Sequence, residues 1–394
     1  MDAVLFWTIL VSVFCGFVVL QEQEDAKVVE VNNQFALNLL KSLDRKNNVL
    51  ISPWSLSVSL GMAYLGAAGG TAQEMEEVLG YRTLGIEGEF LHNGFKKEQG
   101  RINSIQEQYQ LSSVNAVLIH KGYTISKSYS DGLEDYYQSS LKEVNFTDPE
   151  TVLQWANAWG YWASKSSIQN LLRDSPSKTT KLLLLNGVYF KGKWLKQFDP
   201  KNTQEEVFTT ENGQEVVVPI MHETFNASYA EYPKLGTYAV SLPYTDEELS
   251  FIVLLPSTNS DLKTVEKGLT TAILDDILAH MTSEQVRVGL PKFELKYNHK
   301  MKEALKNIGM RLAFSEIKAD FSGITGKRDL HVEEIIHQTV IQVSEEGTVA
   351  AANSVVQLGN RRKSLELTIN RPFLFFIRDN RSGIILFMGR VVML

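Results

Sequence analysis

Apolar positions follow two different periods along this chain. They recur every three to four residues in four segments that we predict to be helices: 28–43, 56–65, 262–278 and 301–308. Shorter apolar or alternating runs predict five strands: 182–190, 206–218, 238–243, 249–256 and 285–295. The run at 182–190, "LLLLNGVYF", is apolar on both alternating faces, which is typical of a strand in the middle of a covered sheet.

The order of these segments predicts the fold class. Two apolar runs around "RDNRSG", at 372–376 and 383–391, predict a C-terminal hairpin. Helices come mostly early and strands mostly late, so we expect an α+β protein. No Pro-, Gly- or Ser-rich linker divides the chain, and we expect residues 21–394 to form a single domain.

One segment near the C-terminus fits neither pattern well. Residues 345–363 read "EEGTVAAANSVVQLGNRRK", with a conformationally free glycine at Gly347 followed by small, uncharged residues. The alternate positions starting at Thr348 carry no charge, so this face could be buried in a sheet without leaving an unpaired charge. The fifteen residues from Gly347 to Arg361 would extend to roughly 50 Å. An alanine-rich loop with a solvated basic tip is the alternative interpretation.

Composition and charge narrow the choice of partners. The 394 residues are 44% hydrophobic and 22% charged, with a formal net charge of −7. This mildly acidic balance lacks the basic footprint of a nucleic-acid-binding protein.

The N-terminus predicts a secreted, extracellular protein. An uncharged run at 3–20 is followed by an acidic segment, and we interpret residues 1–20 as a signal peptide, with a retained membrane anchor as the alternative. Its removal would leave no membrane segment and, because Cys15 is the only cysteine, no disulfide. The sequons at Asn145, Asn226 and Asn380 are predicted glycosylation sites and fit the same route.

The motifs of common enzyme classes are missing. The seven histidines form no H-E-x-x-H motif, and the chain has neither a G-x-S-x-G elbow nor a complete P-loop. We therefore expect no metal, no cofactor and no catalytic activity.

Several long motifs closely resemble the serpin family. "EEGTVAAANS" (345–354) resembles the hinge of inhibitory serpins, and "INRPFLFFI" (369–377) with "ILFMGRV" (385–391) resembles their C-terminal signature. "NVLISPWSLSVSLGMAYLGAAGGTAQEM" (48–75) and "LLLLNGVYFKGKW" (182–194) resemble an early strand and helix and a central strand of the main sheet. The resemblance covers about residues 28–394. It implies three β-sheets, about nine helices and an exposed reactive-centre loop at about 345–365.

The resemblance also implies a function. A protease would cleave the loop as bait and form a covalent acyl complex, and the loop would then insert into the main sheet. The family's spacing from Glu345 implies that the reactive bond is Arg361–Arg362. An arginine at this position suits a trypsin-like serine protease. We expect the inhibitor itself to be a monomer. Cleavage after Arg362, including by a dibasic-specific proprotein convertase, is the alternative.

The resemblance further implies which residues move the loop. The hinge would comprise Glu345, Gly347, Thr348, Ala350 and Ala352. The small side chains of Thr348, Ala350 and Ala352 argue against a non-inhibitory carrier or storage serpin.

A polar cluster beneath the sheet would comprise Ser52, Ser55, Asn186 and His337, and Trp194 would lie where the loop first enters. For His337 the alternative is an ordinary buried histidine. For Trp194 the alternative is core packing, which is compatible with the first role.

Overall fold

The protein's computed structural model describes residues 26–139, 141–346 and 365–394. The predicted signal peptide and most of the predicted loop, including Gly347, Thr348, Ala350, Ala352, Arg361 and Arg362, lie outside the described residues. No helix in the described ranges combines the length and apolar character that crossing a bilayer would need.

The described helices lie mainly in the first half of the chain. They are α1 (26–42), α2 (Pro53–Gly66), α3 (Gly69–Leu79), α4 (Tyr81–Leu84), α5 (Gly88–Tyr109), α6 (Lys127–Tyr137), α7 (Pro149–Ala163), α8 (Leu262–Gly268), α9 (Thr271–Ala279), α10 (Lys302–Asn307) and α11 (Ser322–Thr325). Since α4 and α11 have four residues each, the longer helices agree with the expected number of about nine.

The described strands form two continuous hydrogen-bonded sheets. They are β1 (Val49–Ile51), β2 (Ser112–His120), β3 (Leu141–Val144), β4 (Leu182–Phe190), β5 (Thr203–Thr209), β6 (Glu215–Tyr232), β7 (Thr237–Pro243), β8 (Leu249–Pro256), β9 (Thr282–Pro291), β10 (Phe293–Lys300), β11 (Val332–Val343), β12 (Leu365–Thr368), β13 (Phe373–Asp379) and β14 (Ile385–Val391).

The five-stranded sheet has the order β10-β11-β4-β2-β3. Its central pair, β11 and β4, runs parallel, whereas β10 and β2 run antiparallel to their neighbours β11 and β4. α7 covers one face, where its residues Val152 and Ala156 share a buried cluster with Leu185 and Ile336. α2 lies against the other face and contacts β2 and β4. The central strands are therefore covered on both sides, which explains the continuous apolar run of β4.

The nine-stranded sheet accounts for the other two sheets that the resemblance implied. One ladder, β1-β14-β13-β8-β7, joins a second one, β6-β9-β12 with β5, and among the described strands the link is made by β6. β6 is eighteen residues long and pairs with β5 at one end and with β7 at the other. Continuous hydrogen bonding along this long strand merges two expected sheets into one. The expected α+β fold is confirmed.

Three predicted segments are divided in the structure. The run at 206–218 is a β5–β6 hairpin whose turn includes Gly213 at φ 79°. The helix predicted at 262–278 is two helices, because Leu269 is extended and the Thr270 side chain caps α9 by accepting from the Ile273 amide. The run at 285–295 spans the end of β9 and the start of β10.

Candidate functional site

The centre of the candidate site is the seam between β11 and β4. These two strands hydrogen-bond directly along most of their length, from the Val332–Leu182 pair to the Ile341–Phe190 pair. β11 then ends at Val343 and leads through residues 344–346 toward the segment with the hinge motif. Any strand that entered the sheet here would have to separate this ladder.

Trp194 makes a hydrogen bond to the chain just beyond the end of β11. Its indole Nε1 donates a 2.8 Å hydrogen bond to the Ser344 carbonyl oxygen. The ring is 3% exposed and stacks on Tyr244, with centroids 4.6 Å apart and planes 11° apart. An isolated β-bridge between the same two residues fixes this pair. Trp194 therefore combines core packing with a specific contact to the strand end.

Glu345 makes an ion pair and a hydrogen bond at the same strand end. Its Oε2 lies 2.8 Å from Lys292 Nζ, and its Oε1 accepts a 2.9 Å hydrogen bond from Thr203 Oγ1. Burial by itself raises the pKa of Glu345, but hydrogen bonds from Lys292, from its own amide and from Thr203 outweigh burial and hold the pKa below its usual value. The carboxylate is thus ionised, buried and paired, and it ties β11 to the neighbouring sheet.

The next residue, Glu346, is held only at the surface. Its Oε2 lies 3.0 Å from Lys191 Nζ, while 74% of its side chain is exposed. Exposed pairs of this kind contribute little to stability. The two adjacent glutamates therefore differ in burial by a wide margin.

Beneath the seam, polar side chains form a row across four strands. Asn115 on β2 is the register partner of Asn186 on β4, which is the partner of His337 on β11, which is the partner of His299 on β10. Asn186 Nδ2 donates to Asn115 Oδ1 at 2.5 Å, and Asn186 Oδ1 is hydrogen-bonded to His337 Nδ1. We call these four residues the polar row.

The hydrogen bonds of His337 define its protonation state. The Ser52 backbone amide donates to Nε2 at 3.1 Å, and Thr339 Oγ1 lies 2.7 Å from the same nitrogen. Because an amide can only donate, Nε2 must be an acceptor, and the proton of the neutral ring lies on Nδ1. Burial, with a smaller effect of His299, lowers the pKa of His337 to about 3. The His337 ring is therefore neutral at physiological pH, and its hydrogen bonds join Ser52, Thr339 and Asn186.

The N-terminus of α2 completes the cluster. Ser52 caps the helix, and its Oγ donates to the Leu386 carbonyl on β14 at 2.7 Å. Asn186 Nδ2 lies within hydrogen-bond distance of both the Ser55 carbonyl, at 3.1 Å, and the Ser55 hydroxyl. The structure thus brings Ser52, Ser55, Asn186 and His337 together in one hydrogen-bonded cluster. Trp194 lies apart from them, at the strand end.

Some contributors to the site were not predicted. Asn115 is a polar residue inside the apolar run of β2, a pattern that could have marked it as part of a buried hydrogen-bond network. Thr339 lies two residues from His337 on the same face of β11, so the alternation of the strand could have found it. Nothing in the sequence marked Lys292 or Thr203 as part of the site, because isolated basic residues and threonines are common on protein surfaces.

A family model described as "Serpin (serine protease inhibitor)" matches residues 30–394. This chain is a serpin. "Intracellular coagulation inhibitor 1" of Tachypleus tridentatus is 38% identical to it over 93% of this chain and 88% of that protein. "Serpin B6" of Pongo abelii is 36% identical over 92% of this chain and 98% of the relative. The solved structure of mouse protein-Z dependent protease inhibitor has a TM-score of 0.86 and 29% identity, covering 95% of this serpin and 98% of that chain.

Membership of this family assigns the general activity. Serpins inhibit serine proteases through a covalent complex and are inhibitors rather than enzymes. The seam, the strand end and the polar row therefore belong to a member of a protease-inhibitor family. In the described ranges, no group of three His, Cys, Asp or Glu side chains could hold a metal ion.

The three sequons differ in their surroundings. Asn145 is exposed, and its Oδ1 accepts hydrogen bonds from the amide and hydroxyl of Thr147. Asn226 is exposed on β6. Asn380 is exposed too, but its Nδ2 donates to the Glu247 carbonyl at 2.7 Å and to Ser250 Oγ at 2.8 Å. Of the three sequon asparagines, Asn380 alone donates two hydrogen bonds from its side-chain amide to other described residues.

Proposed function

We propose that this serpin is a secreted suicide-substrate inhibitor of trypsin-like serine endopeptidases, cleaved at Arg361–Arg362 and completed by insertion of its loop between β4 and β11. The observation that carries the proposal is the directly paired parallel seam, whose β11 strand leads into the hinge motif. The loop residues beyond Glu346 enter this proposal from the sequence alone.

The direction of the strands favours insertion. A chain that turns back after β11 runs antiparallel to β11, and therefore also antiparallel to β4. Insertion would replace one parallel pair by two antiparallel pairs, which are slightly more stable per residue, and would add a second ladder of backbone hydrogen bonds. This gain is the driving force that we propose for the process.

The length of the loop also fits. β11 has twelve residues, or about 40 Å at the strand rise. The segment from Gly347 to Arg361 spans roughly 50 Å when extended. Arg361 would therefore be carried past the far end of β11, and a protease attached to it would travel the whole length of the sheet.

The covalent step follows the ordinary chemistry of serine proteases. The protease serine oxygen attacks the Arg361 carbonyl carbon, and its proton passes to the protease histidine. The bond to the Arg362 nitrogen breaks, and that amine takes the proton from the histidine as it leaves. An ester then joins Arg361 to the protease. Insertion before water attacks this ester would leave the complex trapped.

The structure supplies barriers that would hold the uncleaved loop outside. The Trp194–Ser344 hydrogen bond and the Glu345–Lys292 ion pair close the entrance at the strand end. The His337–Asn186 hydrogen bond crosses the seam further along. Each of these contacts must break or be remade during insertion, as expected for a native state maintained by a kinetic barrier.

The trypsin-like target and the secretion route rest on sequence features. Arg361 suits a protease pocket with an acidic floor, and the apolar run at 3–20 with the exposed sequon residues Asn145 and Asn226 suits export. The name of the Tachypleus tridentatus relative describes an intracellular inhibitor, which counts against export. Sequencing the N-terminus of protein recovered from the medium of expressing cells would decide between the two.

The inhibition experiment uses the intact chain and trypsin. We expect a complex that survives SDS and release of a C-terminal peptide that begins at Arg362. Arg361→Ala should abolish the complex, whereas the matched variant Arg362→Ala should keep it. A peptide that begins at Lys363 would move the reactive bond one residue along and would favour the dibasic convertase. Cleavage without any complex would support the non-inhibitory alternative.

A further inference from the structure

The strand β9 is paired along its whole length on one side and along only part of its length on the other. On the first side every residue from Thr282 to Pro291 has a register partner on β6. On the second side β12 covers only residues 286–289. Residues 282–285 are all exposed, and no strand among the described residues lies beside them on the β12 side. We call this side of residues 282–285 the β9 edge.

The backbone groups of the β9 edge point toward the open side. The Ile369 amide donates a 2.7 Å hydrogen bond to the Gly289 carbonyl, so Gly289 presents its backbone groups to the β12 side. The direction of these groups alternates along a strand, and Gln285 and Ser283 therefore face the same way. An unpaired edge of this kind is a template for one more strand.

The chain that precedes β12 leads directly onto the β9 edge. β12 runs parallel to β9, with Leu365 as the register partner of Val286. The same register, continued toward the N-terminus, pairs residues 361–364, "RRKS", with residues 282–285, "TSEQ". The four loop residues enter this comparison from the sequence alone.

The continued register also brings opposite charges together. Register partners in a parallel pair project from the same face of the sheet, and the partner of Lys363 would be Glu284. Glu284 is exposed and forms no ion pair with any residue that the structure describes. Glu366 and Arg287, which are register partners within the described ladder, also carry opposite charges. Opposite charges at such positions stabilise the pairing of two strands.

The length of the loop allows this arrangement. The loop starts near the other end of β9, because Lys292, the first residue after β9, forms an ion pair with Glu345. Thr282 lies ten residues before Lys292 in the sequence, which is about 33 Å along the strand. The intervening loop residues, 347–360, reach roughly 46 Å when extended. Arg361 can therefore lie beside Thr282.

We propose that residues 361–364 add to the β9 edge as a continuation of β12 before any protease arrives. Lys363 pairs with Glu284, and the Lys363 amide donates a hydrogen bond to the Ser283 carbonyl. The Arg361 carbonyl accepts a hydrogen bond from the Ser283 amide. The occupant of the β9 edge is thus a segment of the same chain, held by backbone hydrogen bonds and one charge pair.

This docking slows the reaction with a protease, an effect that rests on the proposed function. The protease serine attacks the Arg361 carbonyl carbon, and the oxyanion hole has to bind the carbonyl oxygen. In the docked segment that oxygen is bonded to the Ser283 amide. The protease therefore reacts only with those molecules in which the segment has left the β9 edge, and the rate falls in proportion to their fraction.

Hydrogen exchange on the intact chain tests the docking without any protease. We expect the Lys363 amide, resolved by fragmentation in the mass spectrometer, to exchange more slowly than an unstructured amide. Glu284→Lys should reduce this protection about fivefold, because it replaces a pair of opposite charges by two like charges. Combining Glu284→Lys with Lys363→Glu restores opposite charges and should restore the protection.

A second variant, Ser283→Pro, removes the amide that bonds to the Arg361 carbonyl. Proline is tolerated at an edge when its missing N–H faces the open side, so the ladder between β9 and β6 should remain. This variant should also reduce the protection of the Lys363 amide. The matched control is Glu215→Lys, which makes the same change of charge at the exposed far end of β6 and should exchange like the wild type.

Two results would overturn the docking. One is equal exchange of the Lys363 amide in the wild type, Glu284→Lys and Ser283→Pro. The other is protection that increases with protein concentration, because the β9 edge would then be occupied by a neighbouring molecule.

The effect on inhibition is measured separately, as the second-order rate constant for forming the SDS-stable complex with trypsin. Glu284→Lys and Ser283→Pro should raise this constant by the factor by which they reduce the protection, and Glu215→Lys should leave it unchanged. Unchanged constants despite lost protection would contradict the effect on the protease. Failure of the proposed function would instead appear as no complex from any variant, with the protection of the wild type intact.

Discussion

His337 and Asn186 are register partners across the parallel seam, and a hydrogen bond joins their side chains. A strand inserted between β11 and β4 would move these residues apart by about one strand spacing, ~4.8 Å. The hydrogen bond cannot survive that separation. The pair is therefore intact only while the seam is closed, and it links the polar row to the state of the sheet.

The first prediction concerns the pH dependence of stability. His337 has a pKa of about 3 in the folded chain, against about 6.5 for an exposed histidine. Between these values the unfolded chain binds a proton that the folded chain does not. The stabilisation from neutral His337 is complete above about pH 6.5 and decreases as the pH falls toward 3, by up to ~1.4 kcal/mol per pH unit. Urea unfolding followed by tryptophan fluorescence from pH 7.5 to 4.5 measures this slope.

The matched variants for this prediction are His337→Gln and His280→Gln. Glutamine can still accept a hydrogen bond but does not titrate, so His337→Gln should show a slope shallower by about one proton. Exposed His280→Gln should follow the wild type. His92, whose pKa burial lowers to about 4, contributes equally to all three proteins. Identical slopes for His337→Gln and the wild type would contradict the prediction.

The second prediction separates the two glutamates at the end of β11. Glu345→Gln removes the charge that pairs with Lys292 at a buried position, and we expect a loss of about 1–2 kcal/mol. Glu346→Gln changes an exposed pair with Lys191 and should leave the thermal midpoint unchanged. Both midpoints are measured by scanning calorimetry on the intact protein. Equal changes in the thermal midpoint for the two substitutions would show that the burial of Glu345 does not increase its contribution to stability.

The sequence predicted those elements whose hydrophobic pattern is strong. The segment 182–190 matches β4 residue for residue, because a strand buried on both faces leaves a continuous apolar run. The C-terminal hairpin was found for a similar reason, since β14 is fully buried and β13 is buried except at Arg378, and a polar turn joins them. The divided helix at 262–278 was missed because the apolar period continues through the break at Leu269 and Thr270.

The candidate site was predicted only where a motif carried it. Ser52, Ser55, Asn186 and His337 were found through the family resemblance, and the structure places them in contact. The pairing of Glu345 with Thr203 joins residues 142 positions apart, and such a contact leaves no periodic trace in a single sequence.

The third prediction concerns the sequons in exported protein. We expect glycans at Asn145 and Asn226, which are exposed and make no hydrogen bond through Nδ2 to any described residue. A glycan on Asn380 would replace a hydrogen of the amide that donates to Glu247 and Ser250, so folded protein should be unmodified there. Mass spectrometry of peptides before and after glycosidase treatment measures all three sites. A glycopeptide containing Asn380 from the folded, monomeric fraction would refute this assignment.

The fourth prediction tests insertion through the two faces of the loop. Thr348→Arg places a guanidinium on the face that we expect to be buried in the sheet, and an unpaired buried charge costs several kcal/mol. The variant should be cleaved by trypsin at a normal rate but should form little SDS-stable complex. Its cleaved form should also lack the gain in thermal midpoint that insertion gives the wild type. Electrophoresis and calorimetry on the same samples measure both effects.

The matched variant is Val349→Arg, which adds the same charge at the neighbouring position on the opposite face of the loop. Tyr189, which faces the α7 side near this end of β4, is partly exposed. A charge on that face can reach solvent there, so Val349→Arg should retain the complex and the stabilised cleaved form. A full yield of complex from Thr348→Arg would mean that the first face stays outside the sheet. The seam between β4 and β11 would then not be the place where the loop inserts, since Phe190 and Ile341, the register pair at the entrance end of that seam, are apolar and fully buried.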